Sequence, residues 1–254
     1  MYRPRIIPVL LLKGNALSKS IQFKKHVYIG DAINAVRLYN EFKADELVFL
    51  DIEASRNKQT IDIEFVKEVS EEANMPFSVG GGITSLSQIR EITAAGAEKV
   101  ILNNFALHNP DFIRQAVNEF GSSTICVCID VKKKRFGGQH VYDHVTGKLL
   151  SSKPIELAVR MEELGVGEII VQSVDRDGMM NGYDIDLMTT ISSNLIIPCI
   201  ALGGASGLSD IASLSEKATI NGFAGGSMFV FQGSNRGVLI NYPDKEEVEN
   251  LFSN

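Results

Sequence analysis

The sequence predicts one α/β domain over residues 1–254, a (β/α)8 TIM barrel with a two-fold internal half-barrel repeat. Three observations carry the prediction. The chain has 254 residues, the usual length of a closed barrel in which each of eight parallel strands is followed by a helix. Short apolar runs without polar alternation, as expected of strands buried on both faces, recur between amphipathic stretches of helical period. Three motifs return in the same order at an offset of roughly 120 residues, half the chain, as duplicated half-barrels would give.

The elements follow in order. Strand-like runs occupy Arg5–Leu12 (RIIPVLLL), Leu47–Ile52 (LVFLDI), Pro76–Gly80 and Lys99–Asn103. They continue at Thr124–Val131 (TICVCIDV), Glu168–Ser173, Ile196–Leu202 and Asn221–Gly225. Helical periodicity fills Asp31–Lys43, Asp62–Ala73, Ser85–Ala95, Asp111–Phe120 and Pro154–Leu164. Pro8 and Pro198 sit in or beside strands, a local misfit, because proline brings no N–H to a ladder. Gly137, Gly138 and Gly147 mark a loop or hairpin, where His140 and His144 read as solvated loop histidines despite their i, i+4 step. No metal site and no cofactor is expected. In the internal echo, Asp51 answers Asp175 and Asp177, Gly80–Ile83 answers Gly203–Ala205, and Ile101–Phe105 answers Ala224–Phe229.

Composition narrows the class. With 44% hydrophobic and 22% charged residues, the chain has too much apolar content for bulk disorder. A formal net charge of −6 argues against a general nucleic-acid surface. No apolar run approaches the roughly 20 residues of a membrane span, and no secretory leader is recognised. Cys126, Cys128 and Cys199 lie in apolar strand-like segments, and an odd number of buried thiols points to a reducing cytoplasm.

In a parallel barrel the carboxyl ends of the strands form the mouth of the site. Asp51, Gly80–Gly82, Asn103, Asn104, Asp130, Asp175, Asp177, Gly178, Gly203, Gly204, Gly226 and Ser227 fall there. Glycines between a strand and a helix let backbone N–H groups approach an anion. One such pair is weak evidence, since turns need glycine anyway. Two symmetric sets suggest two phosphate sites facing each other across the mouth, and so a ligand with phosphate at both ends. Asp130 ends an apolar strand and is the best carboxylate for chemistry; the bland alternative is a loop cap or a partner for Lys132–Lys134. Asp51 and Asp177 equally suit rim structure.

Taken together, RIIP, DELVFLDI, VGGGI, Asp130 after its apolar strand, DRDG with GYD, and the late glycine pair resemble HisF, the cyclase subunit of imidazole glycerol phosphate synthase. The likeness runs from Arg5 to about Phe229. It implies a glutaminase partner of the HisH type on the lower face, ammonia passing up the barrel axis, and a phosphorylated ribulosyl-type substrate above. It maps phosphate binding onto Gly82 with Asn103 and Asn104, and onto Gly178, Gly203, Gly204, Gly226 and Ser227. It places Lys19 in the first loop and an ammonia gate at Arg5, Glu46, Lys99 and Glu168. Charges at a barrel base also commonly just pair with each other.

The departure is at the first strand. Cyclase chemistry of this family uses two opposed carboxylates, and the position opposite Asp130 falls on Leu11, which can carry no proton. Losing a general acid or base costs about 10²–10⁴-fold in rate. The first loop, LLKGNALSKS, departs from the family's aspartate–glycine–arginine sequence, and Asn104 replaces a threonine. The opening RPRIIPVLLLK and the ending from Gly226 to Pro243 resemble the HisF-like proteins of sugar-amidation gene clusters, the WbuZ type. That likeness implies a cytoplasmic ammonia conduit serving an N-acetyl sugar amidotransferase in surface polysaccharide synthesis. The alternatives are an authentic cyclase of histidine biosynthesis, with Asp51 or Asp177 sharing the proton work, and a non-catalytic phosphosugar-binding scaffold.

Overall fold

Arg5–Lys13 (β1), Leu47–Asp51 (β2), Phe77–Gly80 (β3) and Lys99–Leu102 (β4) pair in chain order with Ile125–Lys133 (β5), Glu168–Ser173 (β6), Cys199–Leu202 (β7) and Gly222–Gly225 (β8). Every barrel neighbour is parallel, and β1 pairs with both β2 and β8, so the sheet closes without an edge. The expected (β/α)8 barrel is the fold of the chain. The computed structural model describes residues 3–14, 16–135, 137–233 and 235–253. Met1, Tyr2 and Asn254 of the expected domain, and Asn15 of the first loop, lie outside the described residues.

Helices α1 (Ala32–Phe42), α2 (Ile63–Glu72), α3 (Leu86–Ala94), α4 (Pro110–Phe120), α5 (Pro154–Glu163), α6 (Ile185–Ser192) and α7 (Leu208–Ser215) alternate with the strands. The first residues of three predicted helices serve as their caps. Asp31 accepts from Asn34 N, Asp62 from Glu64 N, and Ser85 forms a reciprocal capping box with Gln88. Pro110 and Pro154 open their helices, where a missing N–H is harmless.

Both prolines find a local solution. Pro8 is the last β1 residue in register with β8, opposite Gly225, and pairing with β2 begins at Val9. The strand expected from Ile196 starts only at Cys199. The amides of Ile196 and Ile197 bind the Glu162 carboxylate at 2.6 and 2.9 Å instead of a ladder, and Pro198 has no N–H to offer.

Side chains alternate along each strand, which divides the core. On β1, Ile6, Leu10 and Leu12 join the layer shared with the helices, while Ile7, Val9 and Leu11 pack inside the barrel. The interior cluster also takes Val48, Ile101, Cys126, Cys128, Ile170, Ile200, Leu202 and Ala224. All three cysteines are buried free thiols.

Two hairpins rise from the carboxyl ends of the strands. After β1, Ala16–Ile21 and Lys24–Asp31 pair antiparallel, and the first of them folds back on β1 with Leu11 opposite Ser18. After β5, Gln139–Asp143 returns along β5 with Val131 opposite Val141. These hairpins position the site. Among the described residues no helix is long and apolar enough to cross a membrane.

Candidate functional site

Cys126, Cys128 and Asp130 occupy alternate positions on β5, so the period that buries the two thiols in the barrel also turns Asp130 inward. Asp130 is 2% exposed and lines an open cavity of about 400 Å³ at the carboxyl ends of the strands. Its Oδ2 accepts from Asn103 Nδ2 at 3.1 Å and stands 3.2 Å from His144 Nδ1, and its Oδ1 lies 3.8 Å from the Cys128 thiol. Burial, with Asp130 beside it, pushes the Cys128 thiol well above its ordinary pKa, so it stays protonated. Leu11 lines the same cavity, and no carboxyl group replaces it on β1.

His144 was expected to be a solvated loop histidine. It lies instead against Asp130 and borders the cavity, because the hairpin after β5 folds back over the mouth. Asp143 sets the turn: its Oδ1 accepts from Val145 N and Thr146 N at 2.9 and 3.1 Å. The same oxygen accepts from Asn104 Nδ2 at 2.6 Å, so the Asn104 side chain is committed to a carboxylate. Burial works to raise the Asp143 carboxyl, but the donors from Thr146, Val145 and His108 outweigh it and hold the group below its ordinary pKa.

Gly80–Gly82, Asn103 and Asn104 border this cavity. At Gly82 φ is +63°, and the Gln59 carbonyl fills the place of a Cβ, so the β2 and β3 loops touch through backbone. Lys13, Arg56 and Lys58 bring positive charge to the same cavity, a signal that strand and glycine patterns did not show. Asp51 lies there too, its Oδ1 accepting from Glu53 N and Ala54 N at 2.9 and 3.0 Å. Burial raises its pKa against the pull of those two donors.

In the second set of rim residues, Gly178 and Gly226 lie against the first hairpin. Gly178, Gly203, Gly204, Gly226 and Ser227 are not part of the cavity wall that holds Asp130. Gly178 packs against the Ser20 carbonyl, and Lys19 Nζ takes the space of a Cβ at Gly226. Lys19 is buried and donates to the Val9 carbonyl. Burial lowers its pKa to about 8 despite the attraction of Asp177. Asp177 ties the hairpin down: its carboxylate accepts from Ser20 Oγ at 2.8 Å, and its carbonyl from Gln22 N at 2.9 Å.

At the opposite end of the barrel, Arg5, Glu46, Lys99 and Glu168 meet as a closed ring of alternating charge. Arg5 donates to both carboxylates through separate nitrogens. Lys99 Nζ lies 3.5 Å from Glu46 and 3.1 Å from Glu168. Ser78 Oγ adds a bond to Glu46 Oε1 at 2.8 Å. Glu46 and Glu168 are 3% and 7% exposed, so the pairs are shielded from solvent screening. Among the described residues, no cluster of His, Cys, Asp and Glu is arranged to hold a metal ion.

Comparison with known proteins adds three kinds of relative to this geometry. A family model described as "Histidine biosynthesis protein" matches residues 5–235. A protein of Pseudomonas aeruginosa provisionally named imidazole glycerol phosphate synthase subunit hisF2 is 43% identical over 249 residues, covering 98% of this chain and 99% of that one. One of Vibrio vulnificus, provisionally named subunit hisF3, is 40% identical over 248 residues, covering 97% and 95%. The imidazole glycerol phosphate synthase subunit HisF of Lactococcus lactis subsp. cremoris is 39% identical over 230 residues, covering 90% and 89%.

Proposed function

Because the chain belongs to the histidine biosynthesis protein family and is a HisF-like barrel, we propose that it partners a HisH-like glutaminase and conducts ammonia through the barrel without closing an imidazole ring. The ammonia serves glutamine-dependent amidation of an N-acetyl sugar, an acetamido group becoming acetamidino during surface polysaccharide synthesis. A separate amidotransferase receives the nitrogen. Rim residues Gly82, Asn103, Gly178, Gly203, Gly204, Gly226 and Ser227 hold a phosphorylated ligand, and the ring of Arg5, Glu46, Lys99 and Glu168 gates the lower entrance.

One observation carries this reading. The β1 side chains that share the cavity with Asp130 are Leu11, packed among aliphatic neighbours inside the barrel, and Lys13, and neither is a carboxyl group. Of the other rim carboxylates, Asp51 accepts through Oδ1 from the backbone of its own loop, Glu53 pairs with Lys13, and Asp177 holds the first hairpin. The test is to mix the purified chain with a HisH-like glutaminase and measure complex formation, glutamine hydrolysis and ammonia-dependent cyclisation in parallel. A stable complex with stimulated hydrolysis and negligible cyclisation is expected. Cyclisation at rates ordinary for the family, or complementation of a cyclase-deficient histidine auxotroph, selects the cyclase alternative.

A further inference from the structure

Asp130 and His144 are joined in a way that ammonia delivery does not use. An ionised carboxylate only accepts hydrogen bonds, so its contact with His144 Nδ1 at 3.2 Å places the imidazole hydrogen on Nδ1. In the neutral imidazole the lone pair is then on Nε2, which carries no hydrogen bond among the described residues, on a side chain that borders the cavity. The backbone around it is pinned by the Asp143 turn and by Arg56, whose Nη2 donates to the His144 carbonyl at 2.8 Å. We propose that Asp130 and His144 form an acid–base pair in which His144 Nε2 removes and returns a proton on the carbon beside the carbonyl of a phosphorylated hydroxyketone.

The surrounding groups select that ligand class. Asn103 spends its Nδ2 on Asp130, which leaves Oδ1 buried without a partner. Asn103 thereby fixes the orientation of the Asp130 carboxylate at the cavity wall. Gln172 is directly opposite Asp130 in the β5–β6 ladder, is 5% exposed and borders the cavity. Its amide offers a donor to a carbonyl oxygen that gains negative charge. Lys13, Arg56 and Lys58 supply the positive surface for a phosphate end, and about 400 Å³ suits a small sugar phosphate.

The step balances without a co-reactant. The C–H proton passes to Nε2, its electron pair forms the carbon–carbon double bond of an enediolate, and the carbonyl pair moves onto the oxygen held by Gln172. Asp130 stabilises the imidazolium, and return of a proton from Nε2 restores the ketone. Asp130 is a positioning residue here, and His144 carries the proton.

Solvent exchange tests the proposal directly. The full chain in D₂O, given ribulose 5-phosphate as probe, is followed by ¹H NMR for loss of the signals beside the carbonyl. Exchange above the buffer rate is expected, with a drop of about a hundredfold in His144→Gln and partial recovery of His144→Ala on adding imidazole. Asp130→Asn is expected to slow exchange and to move the ¹⁵N signature of His144 away from the Nδ1–H tautomer. Exchange no faster than buffer, exchange undiminished in His144→Gln, or an unchanged tautomer in Asp130→Asn overturns the proposal. Glutaminase stimulation by the same preparations reports on ammonia delivery separately and on whether each variant is folded.

Discussion

Lys19 donates its ammonium to the carbonyl of Val9, on the strand that leads into its own hairpin. A charged amine has thus been drawn into a barrel rim, where the Ser20–Asp177 bond holds the hairpin in place.

That placement makes stability depend on pH. Burial lowers the Lys19 pKa from 10.5 to about 8, so the unfolded chain binds the proton more tightly than the folded one. The penalty is fully present below about pH 8, roughly 3 kcal/mol at 1.36 kcal/mol per pKa unit. It fades as pH rises towards 10.5. Lys19→Met is expected to raise stability at pH 7 and to flatten the increase between pH 8 and 10. Urea unfolding of both proteins across that range measures it.

Removing one member of the lower ring strands the others. Glu46→Gln leaves Arg5 and Lys99 sharing Glu168 and alters the bond from Ser78. Breaking a buried pair costs 3–5 kcal/mol, and the partial exposure of the two cations brings the expectation to roughly 2–4 kcal/mol. Glu46→Gln with Glu168→Gln is expected to be non-additive, because both carboxylates bind the same two cations. Denaturant midpoints of the singles and the double decide this.

Leu11→Asp restores a carboxyl to the interior face of β1, in the cavity that holds Asp130. Under ammonia delivery without ring closure, cyclisation of the family's substrate rises by about 10²–10⁴-fold. An unchanged or lower rate is the result expected of a chain that already cyclises by another route. Steady-state turnover with ammonium as nitrogen source separates them.

Gly82→Ala is expected to be destabilising by about 1–3 kcal/mol through its positive φ alone, with more added by collision against the Gln59 carbonyl. Thermal unfolding reads the loss. Gly14→Ala, at φ +57° with open space around it, isolates the backbone component.

The barrel was legible because burial on both faces removes polar alternation, and because β5 repeats its inward residues as Cys126, Cys128 and Asp130. The lower ring was legible as residues, four charges at strand entrances, but its closed alternation depends on Arg5 reaching two carboxylates across the barrel floor. His144 was not legible. Its approach to Asp130 depends on how the β5 hairpin folds back and on the Asp143 turn, and neither leaves a periodic trace. The second glycine set reads as rim of the mouth, whereas Lys19 lies against Gly226 and Ser20 against Gly178, because the stretch read as a loop pairs as strands.

The bonds from Ser20 and Gln22 to the Asp175–Asp177 turn fasten the first hairpin to the far half of the barrel. A strap anchored at both ends cannot lift by bending at its root; it must unbuckle. Opening of the hairpin therefore requires these polar contacts to break together. Ser20→Ala is expected to speed amide hydrogen exchange within the hairpin.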